Sequence, residues 1–299
     1  MTGLRKRSGR AITVAAAAVL ALSIMSPAMA AEGDMAPADP NTGKFSLSAG
    51  VDFTTEYWFR GIFQEDQGFI AQPWVDVGIN IFEADDFSMD VYFGNWNSLH
   101  SEDGTGAWYE ADVYVGFAFG LPGGFSADLS YIVLYNPDGG DAFAEEIDLG
   151  FGYDDAPLWE SAGLDFGGLQ PSALFAFETN AGSDGDTTDE GIYFEFGIEP
   201  AFTVIDSADY PIDLSIPVTF GFSVDDYYQF GNPGGGDGLG FADVGLVASM
   251  PLAFMPSDYG DWSVSAGVHF LFLEGTLENV DDTQDDFHVY GSVGISFEY

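Results

Sequence analysis

The sequence predicts an all-β chain, a transmembrane antiparallel up-and-down β-barrel of about 12 strands, and three observations carry that expectation. Apolar residues recur at every second position in evenly spaced segments between residues 44 and 299, the period of strands with one apolar face. Beyond the N-terminus, no stretch is apolar for the roughly 20 residues that a membrane-crossing helix needs. The other strand face is built from Gly, Ser, Tyr and Asp with almost no Lys, unlike the charged exterior of a soluble sandwich.

Residues 1–30 read as an export signal. Arg5, Lys6, Arg7 and Arg10 form a basic head, residues 11–25 an apolar core, and Ala28-Met29-Ala30 a small-residue cleavage site. Residues 31–43, rich in Ala, Pro and Asp, are expected to be a flexible tail, and 44–299 one barrel domain with no linker at which to divide it. The chain has no cysteine, which excludes a lipid-anchored precursor, a disulfide framework and thiolate metal sites. After residue 30 the only Lys and Arg are Lys44 and Arg60, against all 49 Asp and Glu, so the mature chain would carry 2 − 49 = −47. Nucleic acid and anionic surfaces are poor partners for such a chain.

The strands run in order along the chain. Phe45, Leu47, Ala49, Val51 and Phe53 alternate with Ser46, Ser48, Gly50, Asp52 and Thr54, and the parity is read on to Arg60 as one first strand. Val75, Val77, Ile79 and Ile81 mark the second, and after the turn at residues 83–86, Phe87, Met89, Val91 and Phe93 mark the third. Val113, Val115 and Phe117 run into Leu121-Pro122-Gly123-Gly124 and on to Leu129, Tyr131 and Val133, the clearest hairpin. Further strands are expected at 143–153, 170–180, 190–203, 211–224, 240–253, 262–273 and 286–299. Connections on the side of the termini are short and those on the other side longer and acidic, which is the barrel habit. Residues 154–169 break that rule and are expected to hide a hairpin half or a short helix.

The last strand carries its own signal. Phe287, Val289, Val293, Ile295, Phe297 and Tyr299 share one parity, and the chain ends on the aromatic Tyr299. That ending resembles the closing strand of a bacterial outer-membrane barrel, which implies a location in the outer membrane, contact with its lipid and lipopolysaccharide, and delivery by the barrel-assembly machinery through the C-terminal strand.

Three pieces of the first half carry a further resemblance. They are Thr55-Glu56-Tyr57-Trp58-Phe59-Arg60-Gly61-Ile62-Phe63-Gln64, Gly94-Asn95-Trp96-Asn97-Ser98, and Tyr109-Glu110-Ala111-Asp112-Val113-Tyr114-Val115-Gly116-Phe117. Together they resemble the TorF-type family of outer-membrane porins, most of them uncharacterised, over about residues 50–150. The chain departs from that family in its acidity and at Phe63 and Pro73. The resemblance implies a channel of unspecified cargo and brings no catalytic residues.

On the polar parity lie Asp52, Glu56, Asp76, Asp90, Glu110, Asp112, Asp128, Glu146, Asp148, Glu195, Glu199, Asp213, Asp243 and Glu298, opposed only by Arg60. Carboxylates around an aqueous lumen with low-dielectric walls would concentrate cations, so a channel for small solutes with a preference for cations is expected. A barrel closed inside, whose acidic loops bind a partner or divalent ions, is the alternative. Arg60, carried by parity into the lumen, is expected to pair with Glu110 or Asp112. Inward glycines 50, 78, 94, 116, 150 and 152 would leave space, and Tyr92, Tyr114, Tyr193 and Tyr290 would take it. No cofactor is expected. Asp184, Asp186, Asp189 and Glu190 offer hard oxygens without the full calcium-loop pattern, and residues 281–286 likewise, so surface-bound Ca²⁺ or Mg²⁺ is the most these loops suggest. No His-x-Ser pair of the kind used by barrel lipid hydrolases occurs, and no enzymatic role is expected.

Overall fold

The computed structural model of this chain describes residues 43–299 except 85, 103–106, 138–140, 165, 181–189, 208–209, 230–235, 276 and 278–284. The export signal and all but the end of the tail lie outside the described residues. Twelve antiparallel strands close a barrel: β1 (Phe45–Thr54), β4 (Ile70–Ala84), β5 (Phe87–His100), β6 (Trp108–Gly120), β7 (Phe125–Asn136), β8 (Asp141–Tyr153), β9 (Ser172–Asn180), β10 (Ile192–Ile198), β13 (Val218–Asp225), β14 (Gly238–Pro251), β15 (Asp261–Leu273) and β16 (Phe287–Glu298). Each pairs with its sequence neighbour in the ring, and β1 closes on β16 with Ala49 opposite Phe297 and Phe53 opposite Val293.

Alternation explains the wall. Val75, Ile79, Phe93, Val115, Phe117, Leu129, Phe196, Val289, Val293 and Ile295 stand exposed on the outside, whereas residues of the other parity turn inward. A large apolar side chain left in water forgoes roughly 1.5–3 kcal/mol, so a continuous band of them marks a surface made for lipid. Rings cluster toward the end where β1 begins and β16 finishes, among them Phe125 stacked on Tyr153 and Trp262 against Phe297, as an interfacial aromatic girdle requires.

Two short strands, β11 (Ala201–Ile205) and β12 (Ile212–Ser215), extend β10 and β13 past that rim. Pro200 and Pro217 lack the amide donor a ladder needs and interrupt the hairpin there, while β12 still pairs with β14. The ambiguous stretch after β8 holds a short helix, α1 (Ala156–Ser161), with Pro157 in its first turn. Asp155 ties the returning chain down, accepting from the Trp159 indole at 2.7 Å and the Gln170 amide at 2.9 Å. Phe166 then stacks on Phe202 and covers the flank of β11.

One expectation is corrected. The first strand ends at Thr54, not Arg60: the Thr54 hydroxyl donates to the Glu56 carbonyl at 2.6 Å and turns the chain inward. Beyond that turn the chain forms a separate hairpin, β2 (Tyr57–Phe59) and β3 (Ile62–Glu65), paired with each other and, among the described residues, with no barrel strand.

Wall and lumen are fitted by contact between glycines and rings. A Cβ at Gly94 would stand 2.1 Å from the Tyr114 ring and 2.2 Å from Asp76, and one at Gly116 would stand 2.4 Å from the Tyr92 hydroxyl. The rings therefore lie flat against bare backbone of the next strand. Gly94→Ala is expected to lower stability by about 1–3 kcal/mol through overpacking, read from the urea midpoint of unfolding, and most of that loss should vanish when Tyr114→Ala is added.

A second expectation concerns Asp155, which lies in the connection outside the barrel wall. Burial opposes its charge, but donation from Trp159 and from the Gln170 and Leu169 amides outweighs it and holds the carboxyl below its usual range. A depressed folded-state value stabilises fully above the ordinary carboxylate value of about 4 and is lost as pH falls through the depressed one. The fluorescence assigned to Trp159, by difference from Trp159→Phe, should stay flat from neutral pH down to about 4 and change below it. In Asp155→Asn that acid transition should be missing.

Candidate pore and the hairpin that fills it

The β2–β3 hairpin lies inside the barrel, toward the end with the long loops, and its own alternation divides the lumen. Tyr57 and Phe59 face one wall and pack with Ile70, Ile132, Leu134 and Ala144. Trp58 and Ile62 face the other and pack with Leu174, Ala176, Tyr193, Tyr227, Tyr228, Phe241, Leu271, Leu273, Leu277 and Tyr290. Arg60 and Gly61 form the tip, both in left-handed backbone, at φ 49° and 79°. Glycine is required at the second position, because a Cβ there would meet Phe241 at 2.7 Å and Leu277 at 2.9 Å.

Arg60, 2% exposed, is the one Lys or Arg among residues 45–299. Its Nη1 donates to Glu146 Oε1 at 2.7 Å and to the Tyr227 hydroxyl at 2.6 Å, and Nη2 stands 3.6 Å from Asp148 Oδ2. Its plane lies 4.6 Å from the Tyr193 ring centre and 5.0 Å from that of Phe59. The Tyr228 hydroxyl donates to its backbone carbonyl at 2.9 Å. The expected pairing with Glu110 and Asp112 is thus corrected. Arg60 sits at a hairpin tip rather than on the first strand, so it reaches across the lumen to β8 instead of sideways to β6.

The remaining acids are met mostly by aromatic donors. Tyr57 donates to Glu110 at 2.8 Å, Trp58 to Glu56 at 2.8 Å, Trp74 to Asp52 at 3.2 Å and Tyr92 to Asp128 at 2.9 Å. Tyr114 donates to Asp76 at 2.7 Å, Tyr193 to Glu195 at 2.7 Å and Tyr290 to Asp243 at 2.9 Å. Glu56 belongs to the inward turn rather than a strand, and Asp213 sits on the β12 extension, where Thr203 donates to it at 2.6 Å.

The acids fall into two groups. Glu110, Asp112, Glu146 and Asp148 are between 0% and 2% exposed, sealed by the hairpin. Asp52, Asp76 and Asp90 are only partly buried, and Glu298 is exposed at the rim. Around that second group the inward positions are small and partly open, with Ser46, Ser48, Ser263, Ser265, Ser292 and Ser296 lining a cup toward the end where β1 begins and β16 finishes. The inward glycines 94 and 116 do not leave space as expected, since Tyr114 and Tyr92 occupy it.

Two histidine arrangements are not evident in the sequence. His269 Nδ1 lies 2.8 Å from Asp243 and its ring stacks on Tyr290 at 4.8 Å. Ser98 Oγ lies 2.8 Å from His100 Nε2, the two residues standing in the order Ser-x-His. Ser98 is 0% exposed and His100 is stacked on Tyr109, so the pair is buried. Of the loop oxygens suggested for a divalent ion, Asp184, Asp186 and Asp189 lie outside the described residues, as do most of residues 281–286, and Glu190 is exposed. Among the described residues, no three of His, Asp and Glu come together to hold a metal ion.

With this geometry in place, residues 38–160 match the model of a family described as a bacterial protein of unknown function (Gcw_chp). The match spans the stretch for which a TorF-type resemblance was drawn, and that name is not confirmed by it. No curated protein matches the chain. Among solved structures, an outer membrane channel from Pseudomonas putida F1 is 9% identical, covering 89% of this chain and 100% of its own at TM-score 0.45. The beta domain of the Bordetella autotransporter BrkA is 10% identical, covering 86% and 99% at 0.41, and LpxR from Salmonella typhimurium is 10% identical, covering 84% and 99% at 0.41. These likenesses are of barrel architecture and bear on no activity.

Removing one partner of a buried ion pair typically costs 3–5 kcal/mol, because the other charge is left uncompensated. Arg60→Leu should therefore destabilise by about that amount in urea unfolding. Adding Glu146→Leu to it should recover part of the loss, since the stranded charge is gone.

Proposed function

We propose that this protein is an outer-membrane channel for small solutes that prefers cations. The observation that carries the reading is the cup at the end where β1 begins and β16 finishes, whose wall is hydroxyl, glycine and carboxylate and whose acids Asp52, Asp76 and Asp90 are partly open. Low-dielectric walls focus the field of such charges on the lumen, raising local cation concentration and repelling anions. Twelve strands give a bore between the filled interior of eight strands and the wide aqueous channel of sixteen, which restricts passage to small solutes. The lipid-facing band and the export-type N-terminus support a place in the bacterial outer membrane. Lipid and lipopolysaccharide would then surround the barrel, and the β16 ending would engage the assembly machinery.

One observation favours a second reading. The lumen beneath the long loops is filled by the side chains of the hairpin, as in a closed barrel that works through its acidic loops, by binding a partner or divalent cations. Conductance separates the two. Purified protein in planar bilayers is expected to give discrete steps, with a reversal potential in a salt gradient that indicates cation preference and falls toward zero as ionic strength rises and the field is screened. Absence of steps across many insertions would remove the channel reading and leave the binding barrel. A reversal potential of the anion sign would remove the role given to the lumenal acids.

A further inference from the structure

We propose that the β2–β3 hairpin is a displaceable gate latched by Arg60, and that its withdrawal opens a carboxylate constriction through which small cations pass. The inference rests on the channel reading and assigns its closed state and selective step. Three observations carry it.

The first is how the hairpin is held. Among the described residues, no main-chain hydrogen bond joins residues 57–67 to a barrel strand, so the insert can leave without breaking the wall. Its ends, by contrast, are pinned to the rim, through the Thr55 amide to the Gly291 carbonyl at 3.0 Å and the Ser101 amide to the Phe69 carbonyl at 3.0 Å. A segment fixed at both ends and held inside by side chains alone is built to swing.

The second is what the hairpin covers. It lies over Glu110, Glu146, Asp148 and, through the Tyr193 ring, Glu195, four carboxylates from β6, β8 and β10, of which Glu146 and Asp148 face the guanidinium while Glu110 and Glu195 accept from tyrosine hydroxyls. A plug evolved to stay would be expected to match those charges, because uncompensated ions are costly in a dry interior. Water and a permeating cation match them when the hairpin is out.

The third is a polar group with no hydrogen-bond partner among the described residues. Gln72, 1% exposed, lies on the lumen parity of β4 beside Ile70, which packs on Tyr57 and Phe59, and neither its amide oxygen nor its nitrogen meets a partner there. An amide that finds no partner under the seated hairpin is suited to a hydrated lumen.

The test compares three folded barrels in planar bilayers under potassium chloride: the natural chain, Arg60→Gln, and a variant with residues 57–67 replaced by a short Gly-Ser linker. The natural chain should open rarely. Arg60→Gln should raise the open fraction at least tenfold, and the linker variant should stay open and cation-selective. If the natural chain and the linker variant conduct alike, the gate is wrong and the channel stands. If the linker variant is folded and silent, the channel reading itself falls. Should the linker variant not fold, thiol access decides, since the chain has no cysteine of its own. Ala176→Cys lies under the hairpin at 0% exposure and should react with a water-soluble thiol reagent at least tenfold faster when Arg60→Gln is added. Equal rates in the two backgrounds overturn the latch.

Discussion

A single buried guanidinium organises the inside of this barrel. Arg60 is set among Glu146, Asp148 and Tyr227 and flanked by the rings of Phe59 and Tyr193, and almost everything the hairpin does derives from satisfying it. Its planar fork can serve two carboxylates and a hydroxyl at once, which a lysine ammonium on a flexible stem could not do with the same orientation. Because it lies at the hairpin tip, the same contacts that neutralise it also fix how deep the hairpin sits. Gly61 completes the device, since only a residue without Cβ lets the tip turn against Phe241.

The wall answers this demand from strands that serve two solvents. One parity faces lipid and needs only to be apolar, so Val, Ile, Leu and Phe interchange there. The other must pack the hairpin over part of its length and face water over the rest. Along β7, Ile132 and Leu134 meet Tyr57 and Phe59, while Ser130, Asp128 and Ser126 succeed them toward the termini. Along β15, Leu273 and Leu271 give way to His269, Gly267, Ser265 and Ser263. The inward face is thus apolar near the hairpin and polar away from it, a gradient that a uniform polar lining lacks.

That division explains what is legible in the sequence. Lipid-facing alternation is local, so β4 to β9 and β14 to β16 are legible within a few residues of their ends, the irregular stretch after β8 is recognisable as something other than a turn, and the strands read at 190–203 and 211–224 are each divided in two, into β10 with β11 and β12 with β13. The hairpin is not legible, because its parity happens to continue that of β1 and its reasons for folding inward lie up to about 170 residues away, at Tyr227 and Tyr228. A warning is present in Tyr57-Trp58-Phe59, three consecutive aromatics that no half-lipid strand should contain, followed by Arg-Gly. Parity correctly turns Glu146 and Asp148 inward, but it ranks neighbours along the wall and says nothing about a side chain arriving through the middle. The glycines mislead for a related reason. Gly94 and Gly116 read as vacant space in the sequence, whereas each is the bed for a ring from the adjoining strand, Tyr114 and Tyr92.

Acids crowd the loops as well as the lumen, so their number alone argues for no role inside the barrel. The lumen argues for something more, through the identity of the donors. A protein that merely tolerates many acids needs nothing at each of them beyond water, yet here Asp52, Asp76, Glu110, Asp128, Glu195 and Asp243 each receive a Tyr hydroxyl or a Trp indole. Neutral donors satisfy a carboxylate's lone pairs and orient it without cancelling its charge. Lys or Arg in those places would have made stronger hydrogen bonds and erased the field. A lumen that uses aromatic side chains to hold its acids fixes their geometry without setting a cation beside each of them. The lone Arg60 is then the exception that has to be explained, and its position at the tip of a lumenal hairpin that, among the described residues, has no main-chain tie to the wall is what makes a latch the simplest reading.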